Sequence, residues 1–136
     1  MKVSKLFVIF ASSILAVSAF GNTSIATAMK EMSTALKTIT AQASIATDNA
    51  SSAALCDQIT AGIEAAKSQT PDSVASLPDP TRAQQEQAYV ALLNQLEAQV
   101  ATLKADFVAG NNAQAVTDIA AIGSTKKTGH TQFNKN

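Results

Sequence analysis

Aromatic residues are scarce in this chain: one tyrosine, five phenylalanines and no tryptophan among 136 residues. No strand of any length can be read in the pattern. Cysteine occurs once, at Cys56, so no disulfide closes within the chain and no zinc site of recognisable spacing exists. His130 is the one histidine. No Ser/His/acid or Cys/His constellation can be assembled from it, and the Glu-x-x-His motifs of a di-iron bundle are missing. The five glycines form no phosphate-cradling loop. Basic charge is not clustered as a nucleic-acid binder requires. These absences leave enzymatic chemistry without support and point to a chain that works through packing or through something it binds.

Residues 1–19 read as a cleaved secretory signal peptide. Met1 to Lys5 is a short basic region, Leu6 to Val17 is an apolar run, and Val17-Ser18-Ala19 is a small-residue cleavage site. The apolar run, at about 12 residues, is too short to cross a bilayer, which takes around 20. No cysteine stands at the cleavage site to carry a lipid anchor. The mature protein, residues 20–136, is expected in the periplasm with no membrane span. Removal of Lys2 and Lys5 leaves eight basic residues against ten acidic, a net charge of −2. Roughly 115 residues remain, enough for one domain with a core of its own.

Four amphipathic segments follow. In the first, Ile25, Met29, Met32, Leu36, Ile39 and Ala43 alternate steps of four and three, the seam of a packed helix. The second runs from about Asn49 to Gln69, with Leu55, Ile59, Ile63 and Ala66 inward. A break comes at TPDSVASLPDP, where Pro71, Pro78 and Pro80 cannot continue a helix. The third begins at Thr81 as N-cap and carries Tyr89, Leu93, Leu96, Val100, Leu103 and Phe107 on one face; Gly110 ends it. The fourth has Val116, Ile119, Gly123, Lys126, His130 and Phe133 inward. The pattern predicts an all-α fold, an antiparallel up-down-up-down four-helix bundle. In such a bundle the start of the first helix and the end of the fourth are neighbours. Met29 and His130 then face each other inside it.

A thioether and an imidazole opposed in this way suit a planar iron porphyrin inserted edgewise between helices, with Met29 on one face and His130 on the other. Two protein ligands leave no open coordination position, so the group would carry single electrons and bind no substrate. The soft thioether favours ferrous iron.

At these residues the chain resembles the soluble periplasmic cytochrome b562 family, relatives of the cytochromes c′. MKEMSTALKTI, residues 29 to 39, looks like the family's first helix, whose leading methionine is the axial ligand. The segment from Gly110 to His130 matches the family's spacing without a gap, and the histidine ligand falls on His130. The resemblance implies one haem per chain and unidentified periplasmic redox partner proteins, on a protein expected to be a monomer. The c-type relatives tether haem through a CxxCH motif, which here would need cysteines where Lys126 and Gly129 stand. The expected cofactor is therefore non-covalent haem b. Where a family phenylalanine packs on the porphyrin, this chain has Leu93, with Tyr89 one turn earlier.

Each residue also has a plainer role. Met29 alone would be core filler and His130 alone a packed or snorkelling side chain; it is their joint placement that favours ligation. Met32 belongs to the core or to the haem edge. Lys126 and Lys127 would pair with propionates or form a solvated face. Cys56 reads as a small buried hydrophobe beside Leu55, or as a thiol for an intermolecular disulfide. Two other functions fit the same residues: a haem-free bundle that binds partner proteins under stress, and a copper(I) site of Met29, Met32 and His130.

Overall fold

The computed structural model describes residues 24–134. The expected signal peptide, residues 1–19, and its cleavage site lie outside the described residues. Four long helices make the fold: α1 (Ile25–Gln42), α2 (Asn49–Lys67), α4 (Thr81–Ala109) and α5 (Asn112–Phe133), with the single-turn α3 (Asp72–Ala75) between α2 and α4. A 3₁₀ turn, Ala46–Asp48, leads into α2. The fold is an all-α four-helix bundle, and no strand occurs among the described residues.

Local signals account for the helix ends. Ser24 caps α1, its hydroxyl accepting from Thr27 N–H at 3.3 Å. Gly110 closes α4 in the left-handed conformation at φ 77°, where a β-carbon is costly, and Asn111 N–H reaches back to Asp106 C=O at 2.8 Å. Thr81 is the first helical residue of α4, not its cap. Pro80 takes the cap position, since a proline there loses no helical hydrogen bond. The proline-rich break holds structure that periodicity does not reveal: α3 tucks Val74 into the core at 2% exposure.

α1 packs on α2, α2 on α4, and α4 on α5, whereas α1 and α5 touch little. At one end, α5 is tied to the α1–α2 turn. Asn112 Nδ2 donates to Ala43 C=O at 2.7 Å, and the Asn49 and Asn112 side chains exchange two hydrogen bonds at 2.8 and 3.2 Å. At the other end nothing comparable joins α1 to α5 among the described residues, and a cleft opens there.

The faces actually buried differ from the hydrophobic stripes. On α1 the buried residues are Ala28, Met32, Ala35 and Ile39, and Ile25, Met29 and Leu36 are half-buried. On α2 Leu55 is half-buried, and Ser52 and Cys56 are fully enclosed. On α5 the buried positions are Ala115, Ile122, Thr125 and Phe133. Val116 is 50% exposed, Gly123 and His130 are exposed, and Lys126 is half-buried. The inner face of α5 thus begins one residue earlier than its branched residues suggest. Small side chains at 115 and 125 let α5 lie close against the large residues of α4, and close packing decides which face turns inward.

Close approach also shapes the α1–α2 contact. A β-carbon placed on Gly62 would lie 2.6 Å from Met32 Cγ and 3.1 Å from its sulfur, so the thioether of Met32 packs over bare α2 backbone. Gly62→Ala gains about 1 kcal/mol of helix propensity but incurs overpacking of roughly 1–3 kcal/mol. The expected outcome is a net loss of stability of about 1 kcal/mol, seen as a lower urea midpoint at unchanged slope.

Desolvation raises the pKa of one group on α2 and of one on α5. Burial pushes the Cys56 thiol up to about 12, with Asp57 adding to it, so this thiol is enclosed and inert rather than poised for an intermolecular disulfide. Burial also raises the Asp118 carboxyl above its ordinary value of 3.8; Gln114, donating to it at 3.0 Å, works the other way, and the neighbouring Asp106 adds to the rise. The folded state therefore holds this proton more tightly than the unfolded chain. The stabilisation is complete below 3.8 and is lost as pH rises through the elevated folded value. Asp118→Asn is expected to flatten that part of the stability profile and to raise stability at neutral pH, as measured by urea unfolding on either side of the window.

Candidate cofactor cleft between the outer helices

The open end of the bundle forms a cleft of about 770 Å³ between α1 and α5, floored by α4 and closed below by residues 69–73. This is within the usual size of a cofactor site, roughly 300–1,000 Å³. Its walls are largely apolar. Ile25 and Met29 come from α1, Leu92, Leu93 and Leu96 from α4, and Phe133 from α5, with Tyr89 between them.

The α1 helix presents Met29 one turn from its start. Buried Ala28 and Met32 turn toward α2, which leaves Met29 half-buried on the flank facing the cleft. On α5, buried Thr125 and Phe133 fix the rotation of the last turns, so that Lys126, Gly129 and His130 line the cleft from the opposite side. His130 is exposed. Its imidazole stands at the open mouth of the cleft, not in the core where the helical stripe would put it.

The cleft brings together Met29, His130, Leu93 and Lys126, with Tyr89 also on its wall. Met32 is placed elsewhere, buried over Gly62 at the α1–α2 contact. The three donors of a copper(I) site therefore do not converge. No group of three or more His, Cys, Asp or Glu residues able to hold a metal ion occurs among the described residues.

Several contributors escape a reading of the sequence. Leu92 adjoins Leu93, and a seam takes only one of the pair; yet a β-carbon on Gly129 would lie 2.7 Å from Leu92 Cδ2. Gly129 makes room for this leucine, which forms part of the cleft wall. Ser73 sits in the proline-rich break, where no periodicity exists to mark it. Its hydroxyl donates to the Phe133 carbonyl at 2.5 Å.

Tyr89 is anchored at both ends. Its hydroxyl donates to Ala66 C=O at 3.2 Å, and its ring meets Phe133 edge to face with centroids 5.3 Å apart. Burial pushes its phenol up to about 12, so it stays a neutral donor across the physiological range.

No described helix is long and apolar enough to cross a membrane. Compared with known proteins, the chain matches the family model described as cytochrome b562 over residues 24–134. No curated protein and no solved structure matches it significantly.

Proposed function

The chain belongs to the cytochrome b562 family, haem-binding helical bundles that carry electrons, and from that premise we propose that it is a periplasmic b-type cytochrome. In this reading residues 1–19 are a signal peptide, and residues 20–136 form a monomeric bundle whose long helices run antiparallel. One non-covalent haem b occupies the cleft of each chain, and redox partner proteins exchange electrons with it.

The observation that carries the proposal is the shared cleft: a thioether on α1 and an imidazole on α5 line one apolar opening. The donor chemistry fits a six-coordinate haem. Met29 and His130 come from opposite walls and would hold the group between them, and methionine/histidine ligation would raise its potential. Leu93, Leu92 and Tyr89 supply an apolar wall for a flat ring and exclude water from it. Lys126 and Lys30 line the cleft as well, so their ammonium groups are available to pair with carboxylates at its edge. When bound, the haem supplies a one-electron ferric/ferrous couple. Met29 and His130 would hold the group from its two sides in both oxidation states, which would leave no place at the iron for a substrate.

Titration of the apo-protein with haemin tests this directly. One equivalent should saturate the protein and produce a low-spin spectrum; absence of saturable uptake would contradict the proposal.

A further inference from the structure

The last turn of a helix leaves its carbonyls without intrahelical partners, and such turns fray. His130 sits in the last turn of α5, three residues before the helix ends at Phe133. An axial ligand placed there would wander unless that turn were held from outside. Asn134 N–H reaches back to His130 C=O at 3.1 Å, and the carbonyl of Phe133 accepts from Ser73 of α3 at 2.5 Å. The Phe133 ring, 8% exposed, meets Tyr89 edge to face with an interplanar angle of 76°. Tyr89 in turn is bonded to the end of α2 through Ala66. The final turn of α5 is thereby connected to α2, α3 and α4, though it has little contact with α1.

We propose that Ser73, Phe133 and Tyr89 form a clasp that fixes the last turn of α5, and with it the imidazole of His130, at the mouth of the cleft. Ser73 and Tyr89 are then positioning residues for axial ligation, acting through the α5 backbone and the Phe133 ring; this role rests on the haem reading. It also gives α3 a function. Val74 buries the short helix in the core, and the serine beside it holds the ligand-bearing turn.

The test uses the full mature chain with Ser73→Ala and Tyr89→Phe, which removes only the hydroxyl. Ser73→Thr serves as the rescue. Ser68→Ala is the control, because Ser68 makes a comparable serine-to-backbone bond at Ala65 outside the clasp. In the apo-protein, amide hydrogen exchange at residues 131–134 should quicken about fivefold in Ser73→Ala, the scale of one net hydrogen bond, and stay unchanged in Ser68→Ala. In the haem-loaded protein, transfer of haem to an acceptor should quicken about fivefold in both clasp variants, with a high-spin fraction appearing, and Ser73→Thr should restore both. If exchange, spin state and haem transfer all match wild type while only the melting temperature falls, the clasp is merely structural and the proposal is overturned. Failure of the wild-type chain to take up haem would sink the haem reading, and with it the ligand-positioning role; the exchange measurement would still decide whether the clasp holds the turn.

Discussion

Replacing His130 by alanine should abolish the low-spin haem spectrum and leave the apo-bundle as stable as before. The two halves of this result have separate causes. His130 is exposed, so its loss removes little buried area, and a surface substitution of this kind changes stability by within about 0.5 kcal/mol. Its imidazole, however, is the nitrogen ligand of the proposed site. Loss of even an outer-shell partner costs roughly 10–100-fold in metal affinity, and loss of a ligand should cost at least that. Met29→Ala is expected to lose the low-spin spectrum too, with a measurable stability cost because Met29 is half-buried. Haemin titration and urea unfolding of the same preparations would separate the two effects. A His130→Ala protein that retains a six-coordinate low-spin spectrum would remove this histidine from the site.

Phe107→Ala is expected to do the reverse. Phe107 is 1% exposed near the closed end of the bundle, one turn before Gly110 and away from the cleft. Truncating a buried phenylalanine costs about 3–5 kcal/mol through lost transfer energy and the cavity left behind, a large share of the roughly 5–15 kcal/mol that holds a domain folded. The melting temperature should fall by roughly 15 °C or more. Below that temperature the haem spectrum should be that of wild type, since the ligands are untouched. Calorimetry with a visible spectrum taken well below the transition checks both. A spectral change without loss of stability would mean that the two ends of the bundle are coupled in a way the packing does not suggest.

The contrast between these variants reflects how legible each part of the molecule is. α4 could be read almost completely, because Tyr89, Leu93, Leu96, Val100, Leu103 and Phe107 are large, apolar and spaced in threes and fours, and all are buried except Leu96, which is half-buried. α5 could not. Its inner face mixes Ala115 and Thr125, which carry little hydrophobic signal, with Ile122 and Phe133, so branched Val116 marks the core one residue late. The same effect acts on Met32. Only the close approach of Gly62 shows that this thioether belongs to the α1–α2 contact, and close approach is a tertiary fact. α3 was hidden because one turn among three prolines has no period.

Met29 and His130 were placed together by a different kind of inference. Helix order puts the first turns of α1 beside the last turns of α5, and a shift of one residue in the α5 stripe does not move His130 to the other end. It moves it from the core to the rim of the cleft. That change favours the haem reading, because an imidazole at an open mouth is free to bind an incoming group, whereas a packed core histidine would have to be released first.

The most direct measurement is the visible spectrum of the mature chain after export to a bacterial periplasm, oxidised and reduced, followed by extraction into acidified organic solvent. A strong Soret band, a sharp reduced α-band and pigment that leaves with the solvent as free haem are the expected result. A colourless protein that also refuses added haemin would contradict it.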